Sequence, residues 1–357
     1  MALFKDMLKD DESLFKNELA LDYSFIPKLI PFREQQQREI ASCINPLFQK
    51  RNGKNLLIHG MPGIGKTVAC RHIFQEIEEE TVEIVTVFIN CWQKNTSFKI
   101  FLDMCEQLGI KFTQNKKTDE LFNMIKQVLN KKAAVFAFDE IDKVEDFDFL
   151  YSVLEEIYRK TVLLISNYGD FLDELDGRVK SRLVPGVLEF KPYNLEETRG
   201  ILKQRMEYAF VPGVFSDDAL NLIVNKTAEL RDIRMGLSMM REAGIIAENK
   251  SSRKILLEHA RESINKLDNF TIKKSSDLTE DERKVLELVR ENSGRKIGDV
   301  FKLYQEKGGN LVYKSFQRKI KKLELNNFIS LERKDGGAEG NTTIVNAKDA
   351  EKKLSEF

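Results

Sequence analysis

Residues Asn55 to Thr67 read NLLIHGMPGIGKT, and no other stretch limits the possible folds so sharply. Strand-forming residues run into a glycine-rich loop that closes on Gly65, Lys66 and Thr67, and Val68 to Glu80 then reads as a helix. The spacing Gly60-x4-Gly65-Lys66-Thr67 is the P-loop pattern. A polyphosphate carries several negative charges and needs donors at close range. Small residues at 60, 63 and 65 let backbone N–H groups turn toward it. The N-terminal end of the following helix adds partial positive charge on the same side. Pro62, Gly63, Ile64, Gly65, Lys66, Thr67 and Val68 are therefore candidate contacts to a nucleoside triphosphate. Lys66 is placed for the outer phosphates and the Thr67 hydroxyl for Mg2+.

A strand–loop–helix unit of this kind needs a parallel sheet around it, and the chain supplies one. Val82 to Asn90 (VEIVTVFIN), Ala133 to Phe138 (AAVFAF), Thr161 to Ser166 (TVLLIS) and Val187 to Phe190 read as further strands. Ala133 to Phe138 is apolar throughout, as expected of a strand buried on both faces. Helical periodicity lies before or between them at Arg33–Phe48, Phe98–Leu108, Asp119–Asn130 and Phe147–Arg159. Alternating strands and helices predict a five-stranded parallel sheet covered on both faces, with ligands bound at the carboxyl ends of the strands. Beyond Pro192 the strand pattern stops. Leu195–Ala209, Asp217–Leu230, Asp232–Ala247 and Arg253–Leu267 read as an all-helical block, with Asn194 and Ser216 as caps. Thr271 to Asp277 reads as a linker. Helices near Thr279–Glu291, Gly298–Glu306 and Tyr313–Leu325, followed by a hairpin through the turn Asp335–Gly340, describe a winged helix. The expected domains are thus 1–192, 193–270 and 271–357.

The strand ends carry the remaining chemistry. Asp139 follows an apolar strand as a Mg2+-holding carboxylate should, and Glu140 beside it is placed to orient or deprotonate an attacking water. Asn167 ends the neighbouring strand, within reach of a γ-phosphate or that water. Two arginines suit transition-state charge: Arg182 in KSRLVPG, as a finger toward a neighbouring subunit, and Arg234 in RDIRMGLSMMREAG, at the start of a lid helix. Tyr23, Phe25, Ile26, Pro27, Pro31 and Phe32 precede the P-loop; they either wall a base pocket or pack down the helix that follows.

Formal charge is zero, 57 basic residues against 57 acidic, but it is segregated. From Thr271 onward 19 Lys and Arg face 15 Asp and Glu, a net of +4, which leaves −4 for the remainder. Tyr313 to Lys322 (YKSFQRKIKK) holds five cations and no acid. On a helix, Lys314, Arg318, Lys321 and Lys322 fall largely on one side, and Phe316, Ile320 and Leu323 mark the packed side. A recognition helix meets the DNA major groove in this way. Cys43, Cys70, Cys91 and Cys105 lie far apart and offer no zinc spacing. The start, MALFKDMLKDDES, lacks the apolar core of a signal peptide, and no apolar run approaches bilayer length. A cytoplasmic, nucleoid-associated protein with no membrane contact is the expectation.

Together these residues resemble the AAA+ ATPases, and more closely the archaeal replication-initiator family related to the origin-recognition and cell-division-control proteins. GMPGIGKT and AFDEID match generic AAA+ motifs. LDYSFIPKLIPFREQQ resembles that family's box ahead of the P-loop, which holds the adenine, so Phe25, Ile26 and Arg33 become candidates by analogy. INCWQKNTSFKIFLDM resembles the start of its DNA-contacting helical insertion. RDIRMGLSMMREAG is similar to its GD-x-R motif, with Arg231 where glycine is usual. The resemblance implies ATP/ADP and Mg2+ as cofactors, slow ATP hydrolysis, origin DNA and the replicative helicase as partners, and self-association on DNA. A transposase-directing AAA+ ATPase and a nucleotide-regulated signalling protein with a protein-binding winged helix are the alternative readings.

Overall fold

In the computed structural model, residues 13–274, 278–325, 328–334 and 342–347 are described. Contacts divide the chain into two compact units, with the division between Ile264 and Asn265.

The first unit is built on the expected sheet. Strands β1 (Leu56–His59), β2 (Ile84–Asn90), β3 (Ala133–Asp139), β4 (Lys160–Ser166) and β5 (Gly186–Glu189) lie in the order β2-β3-β4-β1-β5. Every pairing is parallel. β3 lies between β2 and β4 and is buried at each residue, which explains its unbroken apolar run. Successive side chains face opposite layers. Leu163 and Ile165 join a core with α1 (Glu34–Phe48) and α2 (Lys66–Glu80). Val162 and Leu164 join the other, with α3 (Ser97–Gln107), α4 (Thr118–Leu129), α5 (Asp148–Glu156) and α6 (Gly177–Leu183). The four cysteines are buried and free. Burial pushes the thiols of Cys70 and Cys91 well above their ordinary pKa.

The helical block follows as α7 (Leu195–Ala209), α8 (Asp217–Leu230), α9 (Ile233–Asn249) and α10 (Leu257–Lys274). Side-chain caps start three of these: Asn194 in a capping box with Glu197, Ser216 and Asp232. Two boundaries differ from the sequence reading. α10 runs on to Lys274, because LDNFTIKK contains no proline or glycine to stop it, so the expected linker is helical over 271–274. Residues 13–21, assigned by sequence to the sheet domain, are instead fastened to the helical block. The Ser13 hydroxyl and the Leu14 amide donate to Glu248, at 2.7 and 2.8 Å. The amides of Lys16 and Asn17 donate to the Ala209 carbonyl, and Phe15 stacks against Phe210 at 4.8 Å. The chain then crosses to the sheet, so residues 13–34 form a strap between the two.

The second unit contains α11 (Glu280–Glu291), β6 (Arg295–Lys296), α12 (Ile297–Glu306), α13 (Tyr313–Leu325), β7 (Ile329–Lys334) and β8 (Thr342–Ala347). Its strands pair antiparallel in the order β6-β8-β7. Helix–strand–helix–helix–strand–strand is the order of a winged helix. The two-residue β6 is too short to give a periodic signal and was not expected. Val285, Val289, Val300, Phe316, Ile320, Leu323 and Val345 fill the core. The turn Asp335–Gly340 lies outside the described residues.

Candidate nucleotide site and basic helix

The P-loop is shaped by its backbone. Gly65 caps α2 in a left-handed conformation, φ +92°, which a side chain would resist. Lys66 and Thr67 then open the helix. The Lys66 ammonium donates to the Gly60 and Met61 carbonyls at 2.7 and 2.9 Å and to Asn167 Oδ1 at 2.9 Å. Burial pushes its pKa down to about 8, against the pull of Asp139. The Thr67 hydroxyl donates to Asp139 Oδ2 at 2.8 Å, which joins the P-loop to the end of β3. Burial raises the Asp139 carboxyl above the usual range, although the Thr67 hydrogen bond and the Lys66 charge oppose it. Glu140 stands at φ +54°, and its amide donates to Asp139 Oδ1 at 3.1 Å. Its carboxyl is also raised, first by burial and then by the charges of Asp139 and Asp142. A carboxylate tuned upward suits proton acceptance from water.

These groups open onto a cavity of about 330 Å3 between the sheet and the lid. Volumes from about 300 Å3 upward are usual for small-molecule sites. Pro62, Gly63, Ile64, Gly65, Lys66, Thr67 and Val68 line it, as do Asp139, Glu140 and Asn167. The strap contributes Tyr23, Ser24, Ile26, Pro27, Ile30 and Pro31, an apolar wall with few polar groups. The lid contributes Ile201, Gln204, Arg205, Ile233, Arg234 and Leu237. Arg205, buried, donates to the carbonyls of Ala20 (2.9 Å) and Phe25 (3.0 Å), and Gln204 to that of Leu29 (3.3 Å). Burial lowers the Arg205 pKa to about 10. The lid thereby holds the strap in place as a wall of the cavity. Asp139 and Thr67 are hard oxygen donors at the phosphate-binding helix end, a set that fits Mg2+ completed by phosphate oxygens.

In the second unit α13 turns Phe316, Ile320 and Leu323 inward and exposes Lys314, Arg318, Lys321 and Lys322. Lys322 is also tied back. Its ammonium donates to Oε1 of the buried Glu282 at 2.7 Å, and Lys319 donates to the same oxygen at 3.2 Å.

Residues 49–173 match an AAA domain family model, and residues 199–265 match the Cdc6 AAA+ ATPase-type lid domain. The chain is 31% identical to ORC1-type DNA replication protein 2 of Methanothermobacter thermautotrophicus over 362 residues, covering 96% of this chain and 94% of that one. It belongs to the archaeal ORC1/Cdc6-type replication-initiator family of AAA+ ATPases. The protein of the same description from Methanosarcina acetivorans is 30% identical, over 96% of this chain and 95% of its own. The fold agrees. The Aeropyrum pernix ORC1 protein in complex with DNA superposes with a TM-score of 0.67 at 23% identity, over 93% of both chains. Aeropyrum pernix ORC2, in ADPNP–ADP complexes, gives 0.72 at 16% identity over 94% of both.

In this ORC1/Cdc6-type initiator most of the candidates for the nucleotide site converge on one cavity, and three do not. Phe25 packs against Tyr208 and Arg205 outside the wall, while its neighbour Ile26 lines it. Arg33 is buried behind the P-loop. It donates to the carbonyls of Ile64 (3.1 Å) and Lys191 (2.6 Å), and its guanidinium lies 3.9 Å over the Tyr193 ring. Arg182 is exposed on α6, paired with Glu155 and 4.8 Å over the Tyr151 ring. Arg231 occupies the left-handed region at φ +55°, so it keeps the turn that glycine would make without strain. Tyr193, Arg71, Gln204 and Arg205 line the cavity and were not among the candidates. The one sequence signal for Arg205 was a charge on the apolar face of α7, between Leu202 and Ala209. No described helix is long and apolar enough to cross a membrane.

Proposed function

We propose that this initiator is an ATP-operated switch that recognises origin DNA and helps recruit or load the replicative helicase. The observation that carries the reading is the convergence of Lys66, Thr67, Asp139, Glu140, Asn167 and Arg234 on a cavity walled by both sheet and lid. Bound ATP touches both walls and sets their angle; hydrolysis removes the outer contact. Lys66 neutralises the outer phosphates and the P-loop amides cradle them. Glu140 orients the attacking water and accepts its proton. Asn167 and Arg234 face the region where charge develops. Thr67 and Asp139 would hold Mg2+, which supplies charge neutralisation across the phosphates. Turnover is slow, as a switch requires few cycles. Arg182 acts in a neighbouring copy on DNA, leaving Glu155 as that copy docks.

DNA binding is read from α13 and supported by the DNA complex of the Aeropyrum pernix relative. Trp92, 65% exposed ahead of α3, is a second contact in the insertion-like segment. If about four cations of α13 meet phosphates, log K falls with log salt at a slope on the order of −3 to −4. Duplex binding measured across a salt series checks this, and a flat response overturns it. Mapping bound sites across the source genome tests the origin reading: clustering at one or a few loci is expected, and even scatter refutes it.

A further inference from the structure

The first turn of α9 is seated on the P-loop by two contacts. The Ile233 amide donates to the Gly63 carbonyl at 3.2 Å. The Asp232 carboxylate packs against the bare Cα of Gly63, where an added Cβ would lie 1.9 Å from Oδ1. That same carboxylate takes hold of Arg234. Oδ1 accepts from the Arg234 amide at 2.9 Å, both oxygens accept from Nε at 3.0 and 3.2 Å, and Oδ2 accepts from Nη2 at 2.7 Å. Asp232 thus occupies the Nε edge of the guanidinium and leaves Nη1 and one N–H of Nη2 uncommitted by it. Arg234 lines the cavity, and its charge acts on both Lys66 and Glu140, the groups at the outer-phosphate end.

We propose that Asp232 is a positioning residue that lets this site tell ATP from ADP, by fixing Arg234 with its free edge toward the terminal phosphate. The inference rests on the nucleotide-site reading above. An exposed arginine samples many rotamers, and ordering it on binding costs affinity. Here the ordering is built into the fold: Gly63 fixes Asp232, and Asp232 fixes Arg234. Because the anchor sits on the P-loop, the arginine is registered against the loop that holds the phosphates. A ligand lacking the third phosphate gains little from it.

The test is calorimetric titration of Mg-ATP and Mg-ADP into the full chain and four variants: Asp232→Asn, Arg234→Ala, the pair combined, and Lys66→Ala. Asparagine keeps the helix cap but presents an NH2 to Nη2 in place of an acceptor. Asp232→Asn is expected to weaken ATP about tenfold, the worth of one charge-assisted hydrogen bond, and to leave ADP nearly unchanged. The effect should vanish in the Arg234→Ala background, as a double-mutant cycle requires of coupled residues. An equal loss for ATP and ADP would make Asp232 merely structural and overturn the proposal. An unchanged or increased ATP preference, or a shift that persists without Arg234, overturns it as well. Failure of the underlying site reading looks different: the unmodified chain would bind neither nucleotide, or Lys66→Ala would bind as well as it does.

Discussion

Glu140 occupies a left-handed backbone conformation that costs a non-glycine residue about 1–2 kcal/mol. The strain falls where an acid must turn away from the end of β3 toward the cavity, beside the Asp139 that precedes it. Glu140→Gln preserves the shape and removes the proton acceptor. ATP affinity should stay within a few-fold while hydrolysis drops by about 10²–10⁴. Phosphate release alongside nucleotide binding measures both, and unaltered turnover would mean that another group handles the water. At this scale the sequence was most legible where a motif is local. Pro62 to Val68 are consecutive residues of one loop and one helix start and line the cavity together, so thirteen consecutive letters sufficed to place them. It failed where orientation decides. Phe25 and Ile26 are adjacent in an extended stretch, so one faces the cavity and the other Arg205, and nothing in FIP says which. Arg33 and Tyr193 meet only because the strap and the segment after β5 converge behind the loop.

Among elements, α11 and α13 show how a basic helix is held to its own domain. Glu282 closes the capping box of α11 with Thr279 and receives Lys319 and Lys322 from α13. Burial alone would raise its carboxyl; the hydrogen bonds from Lys322, Thr279 and Lys319 more than offset this and hold it at about 2. A carboxylate depressed in the folded state stabilises fully above its ordinary pKa of 4.5 and loses that contribution as pH falls toward 2. Glu282→Gln should cost the second unit about 2 kcal/mol at neutral pH and flatten its stability between pH 4.5 and 2. Hydrogen exchange in α11 and α13 of the full chain reads the loss; unchanged protection would show the cluster to be ornamental. The run YKSFQRKIKK contains no acid, so Lys314, Arg318, Lys321 and Lys322 read as one exposed basic side. The partner lies 40 residues upstream, on a helix whose docking only the fold reveals.

For the molecule as a whole, the strap changes what the nucleotide must close. Residues 13–21 are fastened to α7 and α9, and Tyr23, Ser24, Ile26, Pro27, Ile30 and Pro31 form cavity wall. The lid therefore meets the site twice: through Arg234 at the phosphate end, and through Arg205 and Gln204 at the apolar end. Mg-ATP should slow amide exchange in three separated stretches together: residues 20–31, the P-loop and the first turn of α9. Protection confined to the P-loop would show that lid and strap do not respond to the ligand. The sheet and its order of elements were readable because buried parallel strands announce themselves as short apolar runs. The strap was misplaced because its neighbours in sequence belong to the sheet while its neighbours in space belong to the lid.

Arg205 grips the strap chiefly by donating to the carbonyls of Ala20 and Phe25, with the Phe25 ring 5.0 Å from its guanidinium as an added contact. A clasp of that kind measures distance along the chain more than it reads spelling. Phe25 can change to another residue and the carbonyl remains where it was. Removing a single residue between Leu21 and Phe25, by contrast, moves one of the two handles about 3.5 Å out of reach. Among related initiators this segment should hold its length at least as strictly as its letters.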